Sequence, residues 1–152
     1  IWYDGAAEEA ASLYTSLLPD SRIDAVNRSP VDTPSGPAGS VLTVEFTLAG
    51  RPYLGLNGGS AFPHTQAVSF QIMTDDQVET DRLWYALIAD GGEESVCSWL
   101  KDRWGLSWQI VPRRLWQLVK DPDQGRAQRA MTAMMSMRKI DIAAIERAAD
   151  GA

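Results

Sequence analysis

Apolar residues recur at two spacings along this chain, and the switch between them marks its elements. Ala7, Ala10, Ala11, Tyr14, Leu17 and Leu18 return every three or four residues, with Glu8, Glu9, Ser12 and Thr15 between them. This predicts an amphipathic helix over about 6–18. The apolar residues 1–3 before it read as the end of a strand, with Asp4 as the helix cap. Pro19-Asp20-Ser21 ends the helix, 22–28 reads as a strand, and 29–39, with its three prolines and two glycines, as a loop or flap. The period then becomes two. Leu42, Val44, Phe46 and Leu48 share one face and Val41, Thr43, Glu45 and Thr47 the other, which predicts a hairpin of 40–48 and 51–57 about Ala49-Gly50.

After a connector at 58–65 the same series starts again. Residues 67–73 alternate, with Val68, Phe70 and Ile72 opposite Ala67, Ser69, Gln71 and Met73. A helix over 76–90 follows, its face made by Thr80, Leu83, Trp84, Leu87 and Ile88, and Gly91-Gly92 closes it. Next come a strand over 94–102 and a hairpin of 97–102 with 106–111 around Gly105; Trp108 and Ile110 share one face of its second strand, Ser107 and Gln109 the other. Each half thus reads strand, helix, strand, strand, strand, a repeat of architecture with little identity. From Pro112 the chain is helical in three pieces, with apolar stripes at Leu115, Leu118 and Val119, then Ala127, Ala130, Met131, Met134 and Met135, then Ile142, Ile145 and Ala148; Asp121-Pro122 and Asp141 start the later two. The expected fold class is α+β: two βαβββ modules, about 1–57 and 66–112, forming one domain over 1–112, with a helical tail over 113–152.

Composition narrows the partners. The chain has 152 residues and a net charge of −6, which repels phosphate backbones and anionic lipid heads, so neither nucleic acid nor membrane is an expected partner. No apolar run approaches the roughly 20 residues of a membrane-spanning helix. A single cysteine permits no internal disulfide and no secretory series opens the chain, so a cytoplasmic location is expected.

The stretches WYDGAAEEAASLYTSLLPDSRI, LNGG and GGEES…CSWLKDRWGLSWQIVP, taken with the order of elements, resemble the PhnB-like branch of the vicinal oxygen chelate (glyoxalase and bleomycin-resistance) superfamily. This branch is also labelled demethylubiquinone methyltransferase-like. The resemblance covers the chain to about Ala149 and implies paired modules whose strands curve around a cavity, commonly in homodimers. No strand leads into a glycine-rich nucleotide loop such as GxGxxG, the device the methyltransferase label would suggest. In the superfamily's metalloenzymes the ligands sit on the first and last strands of each module. Carried onto this chain, those positions fall at or before Ile1, near Gly55, near Ala67 and at Gln109. Gly55 and Ala67 bring no ligand atom, so neither a metal nor another cofactor is expected.

Candidate ligand-binding residues follow from the alternation. Glu45, Gln71, Ser107 and Gln109 occupy the same class of strand position and are expected to meet in one cavity, with Trp99 as an aromatic wall and Trp108 packed in the core. No catalytic residue is assigned. Cys97 has no base beside it and reads as an unreactive thiol, and the single histidine, His64, lies in a separate loop beside Pro63. The expected function is binding of a small molecule in a sheet-lined cavity. The alternatives are a metal-assisted lyase, isomerase or dioxygenase-like enzyme, and an interaction module that docks through the methionine-rich tail. A homodimer using that tail is expected.

Overall fold

The first helix forms where the three-and-four spacing places it. In the computed structural model, which describes residues 1–152, α1 spans Ala7–Leu17 and buries Ala7, Ala10, Ala11 and Tyr14. Asp4 does not cap it. The first-turn N–H of Ala7 instead donates to Asn57 Oδ1 at 2.9 Å, because the chain turns at Gly5 with φ +81° and leaves Asp4 exposed. Asn57, 4% exposed, also donates from Nδ2 to the Val41 carbonyl at 3.0 Å, so one buried amide ties the helix to two strands.

Two compact units are present, Ile1–His64 and Thr65–Ala152. In the first, β1 (Trp2–Tyr3), β2 (Arg22–Arg28), β3 (Val41–Leu48) and β4 (Arg51–Asn57) form a sheet ordered β1-β4-β3-β2. β1 pairs parallel with β4 across the α1 crossover, and the other neighbours are antiparallel. Ala49 (φ +46°) and Gly50 (φ +76°) both lie in the left-handed region, the primed turn geometry that matches strand twist in a two-residue hairpin. Val44 and Phe46 are buried under α1, while Glu45 and Leu54 are exposed on the opposite side. In the LNGG stretch, a Cβ on Gly58 would come within 2.2 Å of the Trp2 ring, whose Nε1 donates to Gly59 O at 2.6 Å. This stretch serves packing.

The second unit repeats the design. β5 (Ser69–Thr74), β6 (Glu93–Glu94), β7 (Trp99–Lys101) and β8 (Ser107–Pro112) are ordered β5-β8-β7-β6, again with the outer strand of the crossover parallel to the last. The crossover helix α2 (Gln77–Ile88) starts in a reciprocal cap: Asp76 accepts from Glu79 N, and Glu79 Oε2 accepts from Asp75 N. It buries Thr80, Leu83, Trp84 and Leu87. Each of the three large apolar side chains contributes about 1.5–3 kcal/mol of burial. The expected strand over 94–102 is two strands, because Cys97 (φ +58°) and Ser98 (φ +75°) turn the chain between them. β5 begins two residues later than its alternation suggests, which leaves Ala67 and Val68 exposed before it.

The three tail helices pack on this second unit. α3 (Arg113–Val119), α4 (Gln124–Met135) and α5 (Ile142–Asp150) follow β8 directly. Leu115, Leu118, Ala130, Ile140, Ile145 and Ala149 form a buried cluster with Val111 of β8, and Met73 of β5 packs against it. Asp123, one residue past Pro122, caps α4, and Asp141 caps α5. Ala149 rather than Ala148 joins Ile145 as a fully buried position of α5.

Lys139, between α4 and α5, joins the tail to α2 through the Asp81 carboxylate and the Tyr85 hydroxyl. Burial pushes the Asp81 carboxyl up, but hydrogen bonds from Lys139 and Gln77 and the Lys139 charge outweigh it and leave it below its ordinary value. Burial pushes Lys139 down, and its bonds to Asp81 and Tyr85 leave it above its ordinary value. A lowered carboxyl adds stability above its unfolded pKa and loses it as pH falls; a raised ammonium adds stability below its unfolded pKa and loses it as pH rises. The pair therefore acts across neutral pH. Both groups are partly exposed, so Lys139→Met is expected to cost about 1 kcal/mol or less in urea unfolding at pH 7. That difference should shrink below about pH 4 and above about pH 10.5; a difference that is constant with pH would show the pair to be inert.

Candidate functional site

β8 sets the site. Its residues Trp108 and Ile110 turn toward α2, where they are 2% and 0% exposed, and the Trp108 ring lies 5.4 Å from Phe70. Ser107, Gln109 and Val111 therefore face the other way. The register puts Gln109 between Gln71 of β5 and Trp99 of β7. Gln71 Nε2 donates to Gln109 Oε1 at 3.2 Å, and Gln109 Nε2 donates to Ser69 Oγ at 2.8 Å. This gives one sheet face an ordered row of amides beside an indole.

α3 and α4 turn that row into a cavity. Gln71, Trp99 and Gln109 line a space of about 210 Å³, closed by Leu115 and Val119 of α3 and Met134 of α4. Trp116, Met131, Val111 and the Cys97-Ser98 turn complete the wall. Two successive non-glycine residues in the left-handed region cost of order 1–2 kcal/mol each. The turn offsets this by donating its backbone N–H groups to Met137 O and Arg138 O, both at 2.8 Å, while the Ser98 hydroxyl bonds to Ile110 O. The tail thus supplies part of the wall and also anchors the turn opposite it. Gln71, Gln109 and Trp99 share one sheet face here, without Glu45 and Ser107 in the lining; the helices around them carried no sequence signal beyond an apolar stripe.

The remaining candidates lie elsewhere. Ser107 is on the Gln109 face but 1% exposed, and its Oγ has no hydrogen-bond partner. Since no bond is lost, Ser107→Ala is expected to leave thermal stability unchanged within about 1 kcal/mol or to raise it; a larger loss would reveal a partner for the hydroxyl. Glu45 belongs to the first unit, where it accepts from Asn27 Nδ2 at 3.0 Å on an open surface shared with Arg22, Asp24 and Leu54. Cys97 is half-buried rather than buried and forms no disulfide. His64 stacks edge-on against Tyr3, 5.7 Å between rings.

Asp102, at the end of the expected strand over 97–102, is a buried acceptor, 3% exposed. Its Oδ1 accepts from Trp104 N and Leu106 N, both at 3.0 Å, and its Oδ2 from Trp108 Nε1 at 2.9 Å. It closes the β7–β8 hairpin and orients the Trp108 ring behind the site.

Residues 1–111 match the sequence profile of the 3-demethylubiquinone-9 3-methyltransferase family. The chain belongs to this family. Within it the chain is PhnB-like: the PhnB protein from Bacillus cereus is 30% identical and superposes with a TM-score of 0.66, over 74% of this chain and 95% of that one. A protein from Pseudomonas aeruginosa, 19% identical, shares the fold with a TM-score of 0.59 over 74% of this chain and 92% of its own. No curated protein matches the chain. The glyoxalase-like α+β fold expected from the sequence is the one observed.

The superfamily's metal does not suit the PhnB-like residues here. Gly55 faces α1, where a Cβ would stand 3.2 Å from that of Ala7, and its strand neighbours Leu54 and Leu56 bring no donor. Ala67 precedes β5, and both amide atoms of Gln109 are engaged by Ser69 and Gln71. No group of three or more His, Cys, Asp or Glu side chains is placed to hold a metal ion. Gly55, Ala67 and Gln109 do not by themselves supply the donors of a tetrahedral or octahedral ion.

Proposed function

We propose that this PhnB-like protein binds a small molecule in the cavity between the β5–β8–β7 face and helices α3 and α4. The observation that carries the reading is the convergence of Gln71, Trp99 and Gln109 on one half-open space with an apolar wall, the mixture of many apolar and few oriented polar groups that ligand sites use. At about 210 Å³ the space equals roughly seven water volumes, which suits a fragment-sized ligand or one end of a longer one. No catalytic role is assigned to any side chain.

Protein-observed NMR with a fragment mixture of varied charge tests this. Bound fragments are expected to move the Gln71 and Gln109 side-chain amides and the Trp99 indole, and Gln71→Leu is expected to weaken them at least about tenfold, a loss of 1.4 kcal/mol or more. Shifts confined to other surfaces, or none at millimolar fragment, would contradict the proposal. A homodimer is supported by Met131 and Met135, which stay 42% and 56% exposed on α4; light scattering at twice the monomer mass would bear it out, and a monomer would exclude it.

A further inference from the structure

We infer that the cavity selects an uncharged ligand with one hydrogen-bonding end and an apolar body. The inference rests on the binding reading above and adds the chemical class. None of the side chains lining the cavity carries a charge. Its polar groups are also largely committed: the Ser98 hydroxyl to Ile110 O, and the Gln109 amide to Ser69 and Gln71. Gln71 makes one side-chain hydrogen bond, through its nitrogen, which leaves its oxygen and a second N–H for a ligand. Two cations stand outside the lining: Lys101, on the same strand face, is directed to Glu93 at 3.4 Å, and Lys120 lies over the Trp116 ring, 5.0 Å from its centroid.

An ion entering this space would lose water and gain no opposite charge, a cost of several kcal/mol if fully enclosed and less at a mouth still open to solvent. An uncharged group loses far less and is met by the Gln71 amide. The other end of the ligand lies against Leu115, Val119 and Met134, where the unbranched methionine adapts to its shape. The net charge of −6 adds a long-range penalty for anions. It gives cations no compensating partner inside.

Benzyl alcohol, benzoate and benzylammonium share one ring and differ in charge, so NMR titration of the wild-type protein at pH 7 isolates this term. Benzyl alcohol is expected to move the Gln71, Gln109 and Trp99 side-chain resonances in the millimolar range, with both ions at least fivefold weaker at the same resonances. An ion less than fivefold weaker than the alcohol there overturns the inference and leaves the binding reading standing. If none of the three moves those resonances, the binding reading fails and this inference with it. In Gln71→Glu the order of benzyl alcohol and benzylammonium is expected to reverse; an unchanged order would show that the lining does not set the preference.

Discussion

Asp102→Ala is expected to lower the unfolding free energy by about 3–5 kcal/mol and the melting temperature by roughly 10 °C. The change strips the acceptor from three N–H donors at once, those of Trp104, Leu106 and the Trp108 indole. Leu106 and Trp108 are buried, so water does not replace the carboxylate without opening the hairpin. Asp102→Asn retains one acceptor oxygen and turns an NH₂ group toward one of the donors, so an intermediate loss is expected. The effect should also reach the cavity, because the hairpin fixes Trp99 and Gln109 opposite each other. Urea unfolding of the two variants measures this. A loss below about 1 kcal/mol for Asp102→Ala would mean that the turn holds without its carboxylate.

Deletion of the chain after Lys120 should be more severe. It removes α4 and α5 and with them Ala130, Ile140, Ile145 and Ala149, all 0% exposed, uncovering Val111, Leu115 and Leu118. Burial of Ile140 and Ile145 alone contributes about 1.5–3 kcal/mol each, and the uncovered side chains form an apolar patch of the kind that aggregates. The truncated protein is expected to be insoluble or to melt at least about 10 °C lower. It should also lose the cavity, whose roof includes Met131 and Met134. A soluble product melting within about 2 °C of the full chain would show that the tail is an ornament.

The elements were legible because their periods are clean. α1 and α2 fall within two residues of the ranges that their apolar spacings predict, and the two halves share one sheet topology. The alternation of β8 also placed Trp108 in the core and Gln109 on the opposite face. Three things were not legible. Asp102 and Asn57 stand at the ends of expected strands near glycines, where a polar side chain is usually solvated; only the folded chain shows which backbone donors need them. The break at Cys97-Ser98 requires left-handed backbone at two residues that carry no preference for it. The tail's stripes announced that something was to be covered without saying which face of which sheet, and so the roof of the cavity was missed. Parts of the stretches that carry the family resemblance are structural: a Cβ at Gly92 would meet backbone of Ile88 at 2.5 Å, and Glu94 accepts from Trp84 Nε1 at 2.8 Å. They identify the family and leave its ligand open.

The most direct test of a ligand-binding cavity in the second unit is a crystal structure of the protein soaked with benzyl alcohol. Density for the ring is expected against Val119 and Met134, with its hydroxyl within hydrogen-bonding distance of the Gln71 amide. Benzyl alcohol bound only at other surfaces, with Met131 and Met134 collapsed onto Gln109, would contradict the binding reading.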